Sequence, residues 1–114
     1  MPSRGDVYMA RLNPSQGSEQ GGERPVVIVS RDAINLNSPV VIVVSLTDAQ
    51  NKKRIYPSQT VLKAGDGGLR IDSIALCDQV RAISVTRLTT RIGHLAPQSI
   101  ASINAALKIA LDLP

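Results

Sequence analysis

The side chains best suited to chemistry lie in a polar, glycine-rich segment, Gly17-Ser18-Glu19-Gln20-Gly21-Gly22-Glu23-Arg24-Pro25. Glycines let a backbone approach a ligand closely, and Ser18 and Gln20 supply side-chain hydrogen bonds. Arg24 precedes Pro25, which favours extended backbone at the arginine, so Arg24 is expected to be a well-held positive charge at the start of a strand. The alternative is a flexible hairpin loop whose arginine is only solvated, because loops carry function only sometimes.

Thr47 is the second candidate, because it follows the apolar run Val40-Val41-Ile42-Val43-Val44-Ser45-Leu46. This run is rich in β-branched residues, apolar on both faces and too short for a typical helix, so it predicts a central strand buried on both sides. Thr47 would then emerge just past the strand, into solvent or a cleft. The alternative is a strand-ending hydroxyl that satisfies local backbone groups.

Several other chemistries are excluded by residue type. No glycine loop is followed by Lys-Ser or Lys-Thr, so there is no P-loop, and no nucleophile elbow is visible. His94 is the single histidine, which excludes a histidine pair or metal cluster and leaves a structural hydrogen-bonding role. Cys77 is the single cysteine, so no internal disulfide or multi-cysteine metal site can form, and its apolar neighbours predict burial.

Composition limits the fold and the partners. A chain of 114 residues with 43% hydrophobic residues predicts one folded domain over residues 1–114. Tyr8 and Tyr56 are its only aromatic residues, so the core must be aliphatic. A net charge of +4 and a pI of about 9.7 favour a polyanionic partner, either nucleic acid or an acidic protein. The polar start and the lack of a long apolar span predict a cytoplasmic location.

The pattern of the remaining chain predicts short strands and one terminal helix. Strands are expected over 5–12, 25–30, 40–46, 60–63 and 71–77, with 80–85 continuing or following the last of these and a short strand over 91–95. Polar loops are expected over 13–23 and 47–56, and a glycine-rich turn over 64–68. We predict a mostly β protein: a small, strongly bent, barrel-like antiparallel sheet with the helix covering its open side.

The terminal helix is predicted by two signals. Pro97 suits a first helical turn, and Ile100, Ile103, Leu107 and Leu111 recur at three- to four-residue spacing. Pro25, by contrast, is expected at the first position of its strand, where a missing backbone donor costs little.

Four segments resemble the MazF/PemK toxins of bacterial toxin–antitoxin pairs. They are Gly5-Asp6-Val7, Asn13-Pro14 through Gly17 to Val27, Val44-Ser45-Leu46-Thr47, and Asp72-Ser73 followed by Cys77-Asp78-Gln79-Val80-Arg81. Their order and spacing, and the terminal helix, match the family over essentially the whole chain. The loop that ends in Arg-Pro and the Asp-Gln-Val-Arg run are the specific parts of the match.

The resemblance implies an SH3-like antiparallel β-barrel with a C-terminal helix, assembled as a homodimer. It also implies sequence-specific, metal-independent cleavage of single-stranded RNA, without a cofactor, to a 2′,3′-cyclic phosphate and a 5′-hydroxyl. Arg24 and Thr47 match the catalytic Arg and Thr of the family. The positions that line its RNA groove are matched by Ser18, Glu19, Gln20 and Gln79. The family and the positive charge together imply an acidic, partly disordered antitoxin that covers this groove.

The expected chemistry fits these residues in part. Attack by a ribose 2′-hydroxyl places negative charge on phosphate oxygens, which Arg24 can neutralise bidentately and to which Thr47 can donate. Arginine is effectively always protonated and therefore a poor base, so Glu19 or Asp78 is the candidate general base.

The loop after Thr47 has a role in the same interpretation. Lys52, Lys53 and Arg54 are expected to contact RNA phosphates, although such a charge run is more often a solvated loop. With so few aromatic residues, RNA bases are expected to be held by arginine guanidinium planes, by backbone groups and by Tyr56.

One departure from the family affects the roles. The PemK (Kid) branch is thought to use a histidine after the first glycine of the loop and an arginine two residues before Asp-Gln, where this chain has Ser18 and Leu76. The chain therefore resembles the MazF-like branch. The alternatives are a CcdB-like toxin of the same fold that binds DNA gyrase without catalysis, and an SH3-like module that binds RNA or protein without cleavage. Neither would need both Arg24 and Thr47.

Overall fold

Six antiparallel strands form one sheet in the computed structural model, which describes residues 1–14 and 16–114. Ser15 belongs to the predicted polar loop and lies outside the described residues. The strands are β1 (Asp6–Arg11), β2 (Glu23–Ile28), β3 (Val40–Asp48), β4 (Gln59–Leu62), β5 (Ser73–Ser84) and β6 (Leu88–His94). The helices are α1 (Asp32–Asn37) and α2 (Pro97–Leu111), with single 3-10 turns over Ala49–Asn51, Asp66–Gly68 and Val85–Arg87.

The sheet is barrel-like but open. Its strand order is β4-β5-β3-β2-β1-β6, and β4 is not paired with β6 in the described residues. The turn Asp66–Gly68 lies against β6: a Cβ atom on Gly93 would stand 2.5 Å from the carbonyl oxygen of Gly67, so only glycine fits this approach. The helix α2 packs on β4 and β5. The predicted fold, a bent antiparallel sheet with a terminal helix over its open side, is confirmed.

Aliphatic side chains bury both faces of β3, as its sequence predicts. Val44 and Leu46 belong to a core cluster that the Ile103 side chain of α2 completes. Val41 and Val43 belong to a second cluster on the opposite face. Alternate residues of a strand point to opposite faces, so one strand contributes to both cores. No helix in the described part of the chain is long and apolar enough to cross a membrane.

Element boundaries differ from the predicted ones near the candidate residues. Thr47 was expected past the end of its strand but lies inside β3, which continues to Asp48. Pro25 was expected at the first position of its strand but is the third residue of β2, paired with Met9 of β1. Cross-strand pairing extends both strands into segments that look polar or irregular in sequence.

The other differences arise at segments without periodic apolar residues. Of the two alternatives for 80–85, continuation is confirmed, because 73–84 form one strand, β5; β6, by contrast, begins at Leu88 rather than at residue 91. The six-residue α1 was not predicted, because it is too short to show a helical period. In α2, Ile103 is buried as expected, whereas Leu111 is half-exposed at 51%.

A buried carboxylate joins the start of the chain to β6. Asp6 is 3% exposed, and its Oδ1 accepts from His94 Nδ1 at 2.9 Å and from Arg91 Nη2 at 3.2 Å. Its Oδ2 accepts from the Ser3 backbone N–H at 2.9 Å. Burial by itself raises the pKa of Asp6, but the bonds from His94, Ser3 and Arg91 outweigh it and hold the pKa below 3.8. His94 is therefore a structural hydrogen-bonder, as expected.

We predict that Asp6→Asn lowers the free energy of unfolding at pH 7 by about 1–3 kcal/mol, the usual cost of an unmatched buried polar contact. A lowered native pKa stabilises the fold above the unfolded pKa, and this contribution is lost as the pH falls through the native pKa. The difference between wild type and variant should therefore shrink below about pH 4. Urea unfolding at several pH values measures it, with the exposed Asp112→Asn as control. A difference that stays constant down to about pH 2 would contradict the account.

Candidate functional site

Arg24 and Thr47 lie on the neighbouring strands β2 and β3, just past the last residues that pair between them. Strand β2 pairs with β3 at Val26 with Ser45, Val27 with Val44 and Ile28 with Val43. In each pair the residue numbers sum to 71, so continuing the register by two residues sets Arg24 opposite Thr47. Both residues line one cavity of about 710 Å³, which we call the Arg24–Thr47 cavity.

The proline beside Arg24 marks the place where the two strands stop pairing. Pairing of β2 with β3 begins at Val26, one residue after Pro25, which has no backbone N–H to donate. Beyond that point the side chains of Arg24 and Thr47 line open space instead of a continued ladder. Thr47 is 8% exposed, and Arg24 is half-buried. The cavity therefore presents a cation and a hydroxyl with limited access to water.

The Arg24 guanidinium is anchored on one side only. Its Nε donates to the carbonyl oxygen of Gly21 at 2.8 Å. Its two terminal nitrogens have no partner among the described residues, and each carries donors for an anion. A planar guanidinium held at Nε presents a fork that matches two oxygens of a phosphate or carboxylate.

The sequence interpretation did not identify the other residues of this cavity. An apolar wall is formed by Met9, Pro25, Leu46, Leu69, Ile71 and Ile92. Charged and polar groups come from Glu23, Asp48, Arg70, Ser73 and Thr90. Glu23 and Asp48 directly adjoin Arg24 and Thr47 in the sequence, so their place near the site could have been predicted. Arg70, Ser73 and Thr90 come from distant segments; Ser73 belongs to the Asp72-Ser73 part of the family match, whereas no local pattern marks Arg70 or Thr90.

Gln79 of β5 forms hydrogen bonds with two residues of the glycine-rich loop, outside the Arg24–Thr47 cavity. Gln79 Oε1 accepts from the Gln20 backbone N–H at 3.0 Å, and Gln79 Nε2 donates to the Ser18 carbonyl oxygen at 3.3 Å. The Gln20 Oε1 atom is buried without a partner in the described chain. Glu19 lies between these contacts with an exposed side chain. The structure thus brings Ser18, Gln20 and Gln79 together.

Asp78 is held by a different partner. Gln59 Nε2 donates to Asp78 Oδ2 at 3.1 Å and to Oδ1 at 3.4 Å. Gln59 is 7% exposed, and its Oε1 accepts from the Tyr56 backbone N–H at 3.2 Å. Asp78 and Glu19, the two candidate bases, are both absent from the lining of the Arg24–Thr47 cavity.

Two members of the basic triplet, Lys52 and Arg54, lie near the ring of Tyr56. Lys52 Nζ lies 5.7 Å from the centre of the Tyr56 ring, and Arg54 Cζ lies 5.1 Å from it. Lys53, Arg54 and Tyr56 are exposed, and Lys52 is half-buried. These distances permit cation–π attraction worth about 0.5–1 kcal/mol at exposed sites. The triplet does not line the Arg24–Thr47 cavity.

Other potentially reactive groups are inactive or absent in the part of the chain that the structure describes. Cys77 is fully buried, and burial, with the nearby Asp78 charge, raises its thiol pKa to about 12. A neutral buried thiol is a poor nucleophile, so Cys77 is a core residue as expected. No cluster of three or more His, Cys, Asp or Glu residues suited to a metal occurs among the described residues.

The fold and the site together define a small, barrel-like β domain with a cavity lined by an anchored arginine and a buried threonine. A family model for PemK-like, MazF-like toxins of type II toxin–antitoxin systems matches residues 3–111. Endoribonuclease MazF of Staphylococcus saprophyticus is 42% identical over 113 residues, covering 99% of this chain and 93% of the relative. Endoribonuclease EndoA of Bacillus subtilis is 43% identical over 110 residues, covering 96% of this chain and 94% of the relative.

A solved structure agrees with these relatives. An endoribonuclease in complex with its cognate antitoxin, from a mycobacterial species, matches with a TM-score of 0.83 and 28% identity, covering 100% of this chain and 98% of that one. The chain belongs to the PemK-like, MazF-like family of toxins of type II toxin–antitoxin systems.

Proposed function

We propose that this protein is the toxin of a type II toxin–antitoxin pair and cleaves single-stranded RNA at the Arg24–Thr47 cavity. The observation that carries the proposal is that Arg24 and Thr47 line one cavity, at positions that lie opposite one another when the β2–β3 register is continued by two residues. Relatives that are 42% and 43% identical over nearly the whole chain are named endoribonucleases, which supports the same activity here.

The proposed reaction is an internal phosphoryl transfer. The ribose 2′-oxygen attacks the adjacent phosphorus and loses its proton to a base, while the bond from phosphorus to the 5′-oxygen breaks and that oxygen gains a proton. The products are a 2′,3′-cyclic phosphate and a 5′-hydroxyl. Negative charge grows on the two non-bridging oxygens, where the free nitrogens of Arg24 can bind bidentately and the Thr47 hydroxyl can donate. A fixed cation at this point supplies charge stabilisation without a metal ion.

The candidates for the general base are Glu19 and Asp78. Glu19 is exposed at the tip of the glycine-rich loop and can approach a bound substrate. The Asp78 carboxylate is held by hydrogen bonds from Gln59, so it could accept a proton only from a substrate bound next to this position on β5. Arg24 is excluded as the base in this scheme because arginine keeps its proton.

RNA is proposed to contact the two loops as well as the cavity. Ser18, Glu19, Gln20 and Gln79 would meet bases and sugars, and Lys52, Lys53 and Arg54 would meet phosphates. Tyr56 with its flanking cations offers a surface on which a base can stack. We place the protein in the cytoplasm, where such a substrate is found.

The proposed protein partner is an acidic, partly disordered antitoxin. A structural relative is described in complex with its cognate antitoxin, which supports a partner of this class. The net charge of +4 favours an acidic segment, and covering the RNA groove would block substrate.

Substitutions at Arg24 and Thr47 test the site. Arg24→Ala should slow cleavage about 10²–10³-fold, the usual loss when one preorganised donor is removed. Arg24→Lys should also be badly impaired, because an ammonium lacks the planar fork. Thr47→Ala should lose less, since a neutral hydroxyl stabilises charge less than a cation does. Single-turnover cleavage of a short RNA measures the three rates.

Circular dichroism serves as the folding control for these variants, because Arg24 is outside both core clusters. Arg24→Ala activity within a few-fold of wild type would refute the site and favour a toxin or RNA-binding module that acts by binding alone.

The nucleophile can be tested on the substrate. An oligonucleotide with hydrogen in place of the 2′-hydroxyl at the cleaved nucleotide should bind almost normally and resist cleavage, because the attacking oxygen is gone. The all-ribose RNA should be cut at the same rate with EDTA present. Cleavage of the deoxy substrate, or loss of activity in EDTA that magnesium restores, would disprove the mechanism.

We also propose a homodimer whose RNA grooves form partly at the subunit boundary. The motive is the family resemblance together with large apolar side chains left exposed near the end of α2, namely Ile109, Leu111 and Leu113. Light scattering at micromolar concentration should give twice the chain mass of 12.1 kDa. A mass near that of one chain would contradict the dimer.

A further inference from the structure

We propose that Gln79 is a positioning residue for Arg24, acting through the glycine-rich loop rather than by contact with RNA alone. This inference rests on the proposed function, because Arg24 is the residue that is positioned. The contacts through which Gln79 would position Arg24 are already formed in the free protein, before any RNA is bound.

The Gln79 side chain makes two directional contacts with the loop backbone. Its Oε1 accepts from the Gln20 N–H at 3.0 Å, and its Nε2 donates to the Ser18 carbonyl oxygen at 3.3 Å. Only the oxygen of an amide can accept from an N–H, so this pair of contacts fixes the side-chain orientation. A single side chain thus satisfies one donor and one acceptor of the loop, as a neighbouring strand would.

Gln79 lies in a short irregular part of β5 between two regularly paired parts. Strand β5 pairs with β3 at Leu76 with Ser45 and then at Val80 with Val44. Residues 77–79 therefore form an irregularity in β5, flanked by regular pairing on both sides. A bulge of this kind redirects a side chain out of the regular alternation. Here it presents Gln79 to the glycine-rich loop.

The fastened loop leads directly to the Arg24 anchor. Gly21 follows Gln20 in the chain, and the Gly21 carbonyl oxygen accepts from Arg24 Nε at 2.8 Å. Any displacement of the Gln20 peptide moves this carbonyl and so rotates the guanidinium. A misplacement of about 1 Å in a catalytic group can cost about 10²-fold in rate.

The base of the loop is held by other hydrogen bonds, so the Gln79 contacts restrain only the tip of the loop. The Gly22 N–H donates to Asn13 Oδ1 at 2.9 Å, and the Leu12 N–H donates to the Gly22 carbonyl oxygen at 2.8 Å. Gly22 has a φ of +73°, a value that glycine adopts without strain. Removing the Gln79 contacts should therefore loosen residues 18–21 while the strands stay paired.

The test combines a measurement on free protein with one on cleavage. In Gln79→Ala without RNA, amide hydrogen exchange at Gln20 should speed up about threefold to tenfold, the effect of losing one hydrogen bond. The single-turnover rate at saturating protein should fall about 10–100-fold, a larger factor than any rise in the half-saturating concentration. Gln98→Ala, an exposed glutamine on α2, is the matched control and should change neither quantity.

A double variant shows whether the effect passes through Arg24. Once Arg24 is alanine, loosening the loop has no guanidinium to displace, so adding Gln79→Ala should slow cleavage by less than about twofold further. Gln79→Glu keeps an oxygen that accepts from the Gln20 N–H, but it replaces the N–H donor to the Ser18 carbonyl with a second oxygen, so that hydrogen bond is lost. It should therefore retain Gln20 protection better than Gln79→Ala does.

Three results would overturn the proposal. They are unchanged exchange at Gln20, a raised half-saturating concentration with an unchanged maximal rate, and losses that multiply in the double variant. The second would make Gln79 an ordinary RNA contact. If wild-type protein cleaves no RNA, the proposed function fails, whereas the exchange measurement still decides whether Gln79 fastens the loop.

Discussion

The site depends on the cross-strand register between β2 and β3. Pairs whose numbers sum to 71 bring Arg24 opposite Thr47, and a shift by one residue would turn one of these side chains to the other face of the sheet. Burial fixes the register, because Val26, Val27, Val43 and Val44 all have almost no exposed surface. The packing of an aliphatic core, which has no tryptophan or phenylalanine, thus determines the relative positions of Arg24 and Thr47.

The cavity combines this fixed geometry with a mixed electrostatic environment. Arg24 and Arg70 contribute positive charge to it, and Glu23 and Asp48 contribute negative charge. A phosphate would meet attraction at Arg24 and repulsion from the carboxylates, so its productive position is limited to the side where the guanidinium nitrogens are free. Anchoring through Gly21, which leaves those nitrogens unoccupied, is therefore as important as the charge itself.

The sequence predicted the parts of the fold that have strong local signals. The β-branched run of β3 and the spaced apolar residues of α2 were both recognisable. Arg24 and Thr47 were candidates from their local sequence, and the resemblance implied their catalytic roles. Thr47 was nevertheless placed outside its strand, because the residue that pairs with it, Ile74 in β5, is distant in sequence. Arg70 lines the cavity, and Gln79 contacts the glycine-rich loop, only through the tertiary structure, and no local pattern encodes these contacts.

A double-mutant cycle between Arg24 and Thr47 tests most directly whether the two residues act on one phosphate. Single-turnover cleavage rates of wild type, Arg24→Ala, Thr47→Ala and the double variant give the coupling between the two sites. If both side chains bind the same developing charge, the double variant should be about as slow as Arg24→Ala alone. Losses that multiply would show that the residues act independently and would contradict a shared site.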